Sequence, residues 1–446
     1  MRDDLVNNGH QYTPLGTLPA GWRCLQLRDV VSESRKVTYG IVQPGEYDSK
    51  GVLLIRGQDY IKGWAEPDAF FRVSRTLHNA YKRSSTVAGD LLICIVGATT
   101  GATNVVPIWI SEANITQTTA RVACDPRKVD SQFALFSLAS EFGQMQVRKY
   151  IKGSAQPGLN LADVERFYIP AAPLHEQRKI ARILTTVDNL IEKTEALIAK
   201  YQSIKQGMMH DLFTRGVDAH GQLRPPYAQA PELYKQSELG WIPNEWEVHL
   251  LDTVATRGSG HTPNKLIDKY WNGGVKWVSL ADSDKLDNLY IADSDKHISE
   301  LGLANSSAVR HRPGTVILSR DAGIGKSAII TDTMAVSQHF MAWFCGPRLL
   351  NVFLYYWLQH EKPKFEAIAM GSTIKTIGLS YFKKLPIALP PLREQEIAKE
   401  SLLAVEHRLF GLADELRKYS VQKTGLMQDL LTGKVRVAVD ELDEVA

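Results

Sequence analysis

Short motifs that lie close to catalytic signatures are the first residues to weigh. The segment DAGIGKS at 321–327 ends like a phosphate-binding loop, but Arg320 stands where G-x-x-x-x-G-K-S needs its first glycine. Without that glycine the loop that wraps phosphates is missing, so we predict a glycine-rich hairpin turn instead. HEQRK at 175–179 lacks the second histidine of H-E-x-x-H, and the histidines show no metal-ligand spacing. The sequence therefore predicts neither catalytic residues nor a metal site.

A third motif, RPPY at 224–227, is similar to the [DNS]PP[YF] motif of amino-methyltransferases. Its first residue is Arg224, and a guanidinium cannot accept the hydrogen bond that a base amino group donates to Asp or Asn. No glycine-rich motif suited to S-adenosylmethionine is found. We therefore interpret 215–240, which is rich in Pro, Gln and Ala, as an ordered but irregular linker, and we expect no cofactor site in this chain.

Recognition of DNA is the chemistry that the polar loops could perform. Loops in both halves mix Arg, Lys, Gln, Asn and Ser with aromatic residues, the mixture that holds phosphates and reads base edges. For any single Arg or Lys, a solvated surface group is the competing interpretation. The predicted DNA-binding residues are Arg35, Lys36, Tyr39, Arg56, Gln58, Tyr60, Gln117, Lys152, Ser154 and Gln156 in the first half, and His261, Thr262, Asn264, Lys265, Lys276, Trp277, Arg320, Lys326, Gln338, Ser372 and Lys375 in the second.

Two long helices must position these loops. The stretch from Pro173 to Leu212 occurs again from Pro391 to Leu430. Apolar or tyrosyl residues follow gaps of four and three, which is the seam of a coiled coil. Roughly 40 residues at about 1.5 Å each make a rod of roughly 60 Å, and we expect the two rods to pair antiparallel. The predicted seam is Val187, Ile191, Leu197 to Ile198, Tyr201, Met208 and Leu212, repeated as Val405, Leu409, Leu416, Tyr419, Leu426 and Leu430.

The segments around the rods are also duplicated. LGTLPAGW at 15–22 matches LGWIPNEW at 239–246, and we expect Trp22 and Trp246 to anchor the edges of two cores. Predicted strands GVLLI and GVKWV begin at 51 and 274, and NITQ at 114–117 faces AVSQ at 335–338. The predicted organisation is an N-terminal segment 1–17, a first domain 18–172, a first spacer helix 173–214, a linker 215–240, a second domain 241–390, a second spacer helix 391–431 and a C-terminal tail 432–446.

Composition agrees with an intracellular protein of several domains. The chain has 446 residues, is 44% hydrophobic and carries a net charge of +3, which permits an acidic partner without requiring one. Its four cysteines stand far apart and are expected to be reduced thiols. We find neither a signal peptide nor an apolar run long enough to span a membrane, so we expect a cytoplasmic protein.

At this point the sequence resembles the specificity subunits of Type I restriction-modification enzymes along its whole length. The matching motifs are the IPxxWEV-like segments at 18–22 and 242–248, TP followed by YWNGGVKWVS at 262–279, and the PLxEQxxIA helix starts at 173–181 and 391–398. One repeat of the last motif has an extra residue between Gln177 and Ile180.

The resemblance implies an α+β fold, with two similar mixed α/β target-recognition domains joined by two long helices in an antiparallel coiled coil and a pseudo-two-fold internal duplication. It implies a non-catalytic subunit that binds double-stranded DNA with a bipartite target. It also implies two methyltransferase subunits and restriction subunits as partners, which would hold S-adenosylmethionine, ATP and magnesium. The alternatives left open are a stand-alone sequence-specific or architectural DNA-binding protein and an enzyme acting alone.

Overall fold

The computed structural model describes residues 9–153, 155–370 and 375–438. They form two compact units, both of mixed strand and helix content. Unit 1 contains the described residues up to 195 together with those from 415 onward, and unit 2 contains residues 196–414. In the described residues, no helix is long and apolar enough to cross a membrane.

Unit 1 is built around two four-stranded sheets with the orders β6-β5-β10-β7 and β4-β11-β8-β9. Strand β5 pairs with β10 in parallel, and the other pairs within these sheets are antiparallel. The strands are β1 (His10–Thr13), β2 (Gly16–Pro19), β3 (Arg23–Gln26), β4 (Thr38–Tyr39), β5 (Val52–Ile55), β6 (Phe71–Val73), β7 (Ser85–Thr86), β8 (Leu91–Cys94), β9 (Thr103–Val105), β10 (Ala113–Ile115), β11 (Thr119–Val122) and β12 (Tyr168–Ala171). The helices are α1 (Leu27–Val30), α2 (Arg75–Ala80), α3 (Ser131–Ala139), α4 (Glu141–Tyr150), α5 (Leu161–Glu165) and the long α6 (Leu174–Thr214), which continues into unit 2.

Unit 2 contains a five-stranded sheet, β16-β23-β20-β21-β18, and a three-stranded sheet, β19-β17-β22. Its strands are β13 (Tyr234–Ser237), β14 (Gly240–Pro243), β15 (Glu247–Leu250), β16 (Ala255–Ser259), β17 (Trp271–Val278), β18 (Tyr290–Ile291), β19 (His297–Ile298), β20 (Val316–Ser319), β21 (Ser327–Ile330), β22 (Ala335–Val336), β23 (Phe340–Cys345) and β24 (Pro386–Leu389). The helices are α7 (Leu251–Val254), α8 (Glu300–Ala304), α9 (Asn351–Ile368), α10 (Leu379–Phe382) and the long α11 (Leu392–Leu430), which continues into unit 1. Strands β20 and β21 form an antiparallel hairpin, so the segment DAGIG is the predicted glycine-rich turn.

The long helices run antiparallel within each unit. In unit 1, Asp188 near the start of α6 pairs with Lys423 near the end of α11, at 2.5 Å. In unit 2, Lys205 near the end of α6 forms an ion pair with Glu406 near the start of α11. Opposite ends of the two helices therefore meet in both units, as the antiparallel pairing requires.

Burial refines the predicted seam. Leu197 is 39% exposed, whereas Ile198 beside it is half-buried, so Ile198 alone holds the seam position. Buried Thr194 and Leu412 occupy one further pair of equivalent positions. Thr194 was missed in the sequence because a threonine does not count as apolar, although its hydroxyl donates to the carbonyl oxygen of Leu190 within the same helix.

A buried glutamine fastens the start of each long helix to its domain. Gln395 accepts a hydrogen bond from the main-chain nitrogen of Leu350 and donates to the carbonyl oxygens of Arg348 and Pro390, each at 2.9 Å. Gln177 makes the same three kinds of contact in unit 1, with residues 130, 128 and 172. This equivalence is the physical reason for the repeated glutamine.

The helix starts share one register. Three positions after Gln177 and Gln395 lie Ile180 and Ala398, and both are buried. The apparent extra residue between Gln177 and Ile180 is therefore a difference in side chains and not an insertion.

Trp22 and Trp246 are each 1% exposed and belong to the cores of unit 1 and unit 2, respectively, as predicted. The segment that follows α11 packs on unit 1, because Leu431 is buried in the core of that unit and Val437 lies against it. The acidic stretch 439–446 lies outside the described residues.

Candidate nucleic-acid interface

Each unit contains a parallel pair of strands whose carboxyl ends open into a cleft. In unit 1, Ile55 at the end of β5 lies beside Ile115 at the end of β10. In unit 2, Val278 at the end of β17 lies beside Val336 at the end of β22. The duplication matches GVLLI in the first half with GVKWV in the second, and NITQ with AVSQ. The strand ends that form the two clefts lie in these matched segments, so the clefts are equivalent.

The first cleft, in unit 1, has a volume of about 650 Å³, and the second cleft, in unit 2, about 610 Å³. The first cleft is lined by Ile41, Val42, Pro44, Arg56, Gly57, Gln58, Ile61, Lys62, Cys94, Val96, Thr99, Thr116, Gln117 and Thr118. The second cleft is lined by Thr262, Lys265, Asp268, Trp271, Asn272, Trp277, Ser279, Leu280, Ala281, Asp295, Lys296, His297, Ser337, Gln338 and His339.

A buried aspartate fixes a turn that lines each cleft. The 3-10 turn Gly57–Asp59 follows β5, and the main-chain nitrogen of Arg56 donates to Asp59 at 2.8 Å. The turn Leu280–Asp282 follows β17, and the main-chain nitrogen of Ser279 donates to Asp282 at 2.9 Å. In both cases the carboxylate satisfies a donor at the start of the turn, which fixes the backbone from which cleft side chains project.

A glycine lets a neighbouring loop cross close to the second strand of each pair. A Cβ on Gly40 would lie 1.6 Å from the carbonyl oxygen of Ile115, and one on Gly260 would lie 2.0 Å from that of Val336. Any side chain at these positions would collide with backbone, so glycine is required there. The loops that follow then bring Ile41, Val42 and Pro44 to the first cleft and Thr262 to the second.

The structure gathers seven of the predicted DNA-binding residues in the two clefts. Arg56, Gln58 and Gln117 line the first cleft, and Thr262, Lys265, Trp277 and Gln338 line the second. Outside them, the exposed members of the predicted set are Lys36, Tyr39, Lys152, Gln156, His261, Asn264 and Lys375.

Other predicted residues already have partners within their units. Arg35 forms an ion pair with Asp90, and Arg56 with Asp59 at 2.8 Å. The pKa of Arg56 is raised, chiefly because its side chain donates hydrogen bonds to Asp59. The remaining members of this group are Lys152, which pairs with Asp163 at 3.0 Å, Lys276, which pairs with Asp332 at 3.0 Å, Lys326, which donates to the carbonyl oxygen of Ser283, and Arg320, which donates to those of Gln338 and Ile377.

Two predictions need correction. Tyr60 is fully buried, its hydroxyl pairs with that of Thr119, and burial raises its pKa well above the usual range. Trp277 is only 4% exposed, and its indole nitrogen donates to the carbonyl oxygen of His261 at 3.0 Å. Both rings pack in the cores of their units and cannot stack on bases. Ser154 and Ser372 lie outside the described residues.

Sequence reasoning also missed cleft residues. In the first cleft these include Lys62, Thr99 and Thr118, and in the second Lys296 and His339. Thr118 and His339 directly follow Gln117 and Gln338, so extending the NITQ and AVSQ match by one residue would have found them. Within the described residues, no cluster of His, Cys, Asp or Glu is arranged to hold a metal ion.

Comparison with known proteins gives the same result for both halves of the chain. The family model for the Type I restriction modification DNA specificity domain matches residues 69–201 and 243–409. A Methanocaldococcus jannaschii protein assigned as the MjaX specificity subunit of a type I restriction enzyme is 24% identical over 438 residues, which cover 95% of this chain and 96% of that protein. The MjaVIII specificity subunit of the same organism is 27% identical over 69% of this chain and 71% of its own length.

A solved structure with the same fold is the S subunit of a Type I restriction-modification system from M. genitalium. It covers 95% of this chain and 97% of its own, with a TM-score of 0.56 and 14% sequence identity. Membership of this family implies DNA and the modification and restriction subunits as partners, and specificity subunits carry no cofactor of their own. Because the family model spans more than half of the sequence and occurs in both halves, the chain belongs to the family of Type I restriction-modification DNA specificity subunits, which are non-catalytic.

Proposed function

We propose that residues 18–172 and 241–390 each read one half of a bipartite DNA target and direct partner methyltransferase and restriction subunits to it. The observation that carries this proposal is the pair of equivalent clefts. They share the parallel strands, the aspartate-capped turn and the close-approach glycine, but they differ in their linings. A common framework with different linings is what two unlike half-sites require.

The side chains of the two clefts offer different contacts. Ile41, Val42 and Ile61 give the first cleft an apolar wall beside Arg56 and Lys62. In the second cleft, Lys265, Lys296 and His297 stand near Asp268 and Asp295. Apolar groups suit a thymine methyl, whereas carboxylates accept from a cytosine amino group, so the linings favour different bases in the major groove.

The partners would perform the chemistry. Two methyltransferase subunits would bring S-adenosylmethionine and flip an adenine out of the duplex, and restriction subunits would bring ATP and magnesium.

The long helices would set the unread gap between the half-sites. The exposed cations of both domains, such as Lys36 and Lys375, would hold phosphates and fix the position of the duplex.

An exchange of domains tests the assignment of half-sites. Residues 18–172 would be replaced by those of a related subunit, and methylated DNA from cells that carry the complete system would be sequenced. We expect one half-site to change while the other half and the gap stay the same. A motif that is unchanged, or altered in both halves, would contradict the proposal.

A matched deletion tests the spacer. Removing seven residues from each long helix preserves the coiled-coil seam and shortens the rods by about 10 Å, or about three base pairs. We expect a shorter gap between unchanged half-sites, and an unchanged gap would exclude the spacer role. A gel shift with the purified chain is the control for stand-alone binding, because tight specific binding without partners favours the alternative of an independent DNA-binding protein.

A further inference from the structure

The side-chain amide of Gln338 is held by two neighbours in the second cleft. Its Oε1 accepts a hydrogen bond from the hydroxyl of Thr262, and its Nε2 lies 3.2 Å from Nε2 of His339. Because the amide nitrogen can only donate, the imidazole Nε2 is the acceptor, and the ring proton is on Nδ1.

A second layer of contacts fixes the imidazole. Nδ1 of His339 lies 2.6 Å from Oδ2 of Asp321, and the other oxygen of Asp321 accepts from the hydroxyl of Thr376. Arg320 holds the main chain of Gln338, since its Nε donates to the carbonyl oxygen of that residue at 3.1 Å. Asp321 thus selects the ring tautomer, and the ring selects which end of the Gln338 amide faces it.

Counting donors and acceptors shows what remains for a ligand. A carboxamide has two lone pairs on oxygen and two hydrogens on nitrogen. Thr262 uses one lone pair and His339 takes one hydrogen, so one acceptor and one donor remain on an exposed residue. Adenine presents the complementary pair, the N6 amino donor and the N7 acceptor, in the major groove.

The equivalent residue in unit 1 has no such fixation. Gln117 follows β10 as Gln338 follows β22, and it is also exposed in its cleft. Thr118 stands at the position of His339, and its hydroxyl pairs with that of Thr116 at 2.9 Å. Within residues 9–153 and the other described parts of the chain, no hydrogen bond holds the side chain of Gln117, so its amide is free to rotate.

We propose that Gln338, positioned by His339 and Asp321, specifies an adenine in the half-site read by residues 241–390, and that Gln117 reads its own position less stringently. This inference rests on the proposed function of that domain. Gln338 is the residue that touches the base, and His339 and Asp321 act through it by fixing the order of its oxygen and nitrogen.

The test uses the complete complex with its methyltransferase subunits and a plasmid library randomised across both half-sites. Methylation is read by sequencing, which gives the base preference at every position. We expect Gln338→Ala to lower the preference for adenine at one position of one half-site by roughly tenfold to a hundredfold. His339→Ala should lower it at the same position, and the matched variant Thr118→Ala, in the other cleft, should leave the half-site read by residues 241–390 unchanged.

Asp321→Asn separates positioning from a general structural role. Asparagine keeps an oxygen that can accept from Nδ1 of His339, so it should retain the adenine preference, whereas Asp321→Ala should lose it at the same position. Thermal unfolding of each variant shows whether it is folded, and Gln338→Ala decides the question if His339→Ala does not fold, because the side chain of Gln338 is exposed.

An unchanged preference in the Gln338→Ala complex, or a base other than adenine at the affected position, would overturn the inference. Effects of Gln338→Ala and His339→Ala at different positions would do the same. If no half-site of the wild-type target depended on residues 241–390, the proposed function itself would have failed. That result differs from the outcomes that overturn only the inference about Gln338.

Discussion

Arg224 and Glu394 form a buried ion pair in unit 2, with contacts of 2.7 Å and 3.2 Å between their two nitrogens and two oxygens. Glu394 also accepts from the main-chain nitrogen of Val217 at 2.7 Å, so it binds the segment after α6 to the start of α11. In unit 1, Arg436 after α11 pairs with Glu176 at the start of α6 in the same way. The arginine of the RPPY segment is therefore a structural anchor.

We predict that Arg224→Met destabilises unit 2 by about 3–5 kcal/mol, because it leaves the carboxylate of Glu394 buried without its partner. Urea unfolding followed by tryptophan fluorescence measures the change. The matched variant Arg436→Met should cost less, since the side chain of Arg436 is 52% exposed against 7% for Arg224. Equal losses for both variants would contradict the role of burial.

The lysines of the helix seam provide a second prediction. Lys205 pairs with Glu406 and lies 5.5 Å from the ring of Tyr356 on α9, and Lys423 pairs with Asp188 and lies 5.9 Å from the ring of Phe136 on α3. Each lysine thus links both long helices to a domain helix. We predict that Lys205→Glu lowers the free energy of unfolding by more than about 1 kcal/mol through like-charge repulsion.

Adding Glu406→Lys to Lys205→Glu should restore part of that loss, because the ion pair returns with its charges reversed. Recovery should be incomplete, since a glutamate cannot replace the cation over the ring of Tyr356. A double-mutant cycle in denaturant measures the coupling. Purely additive effects would show that the pair contributes nothing to stability.

Unit 2 should lose stability in mild acid. Burial lowers the pKa of His311, and burial is also the largest cause that lowers the pKa of His360. The unfolded chain therefore binds protons at these residues near pH 6.5, where the folded unit still holds them neutral. Stability present above about pH 6.5 is then lost as the pH falls below it.

His311→Asn should reduce this pH dependence, which thermal unfolding at pH 7.5 and pH 5.5 would reveal. The exposed His407→Asn is the control substitution. A pH profile that His311→Asn leaves unchanged would exclude His311 as a source of the acid sensitivity.

The corrected role of Tyr60 is testable against its cleft neighbour Gln58. Tyr60→Phe removes the hydroxyl that pairs with Thr119 and should cost about 1 kcal/mol of stability without altering the target sequence. Gln58→Ala, on the exposed turn of the first cleft, should leave stability unchanged and weaken selection in one half-site. Sequencing of methylated DNA and thermal unfolding together distinguish the two outcomes, and a changed motif in Tyr60→Phe would restore Tyr60 to the DNA-contact set.

The sequence was sufficient for the features that repeat within it. The seam from Val187 to Leu212 and its copy follow from spacing alone, because a four-three alternation has one helical interpretation. The Glu-Gln pair at the start of each rod could be recognised as a repeat. Its purpose, the buried contacts of Gln177 and Gln395, depends on loops distant in the chain and needed the structure.

The clefts could not be assembled from the sequence for a similar reason. Each forms where two strands separated by more than fifty residues lie side by side, β5 with β10 and β17 with β22. Tyr60 and Trp277 were misjudged because aromatic residues near a polar loop look alike in sequence whether they face solvent or core. Burial alone separates the two cases.

Unit 1 is made of two separate pieces of chain, and this affects its synthesis. Residues 196–414 are contiguous, so unit 2 has all of its chain once residue 414 has left the ribosome. The core of unit 1 includes Leu430 and Leu431, and Glu176 can form its ion pair only after Arg436 has been synthesised. The part of the protein that is translated first is therefore the part whose core is completed last.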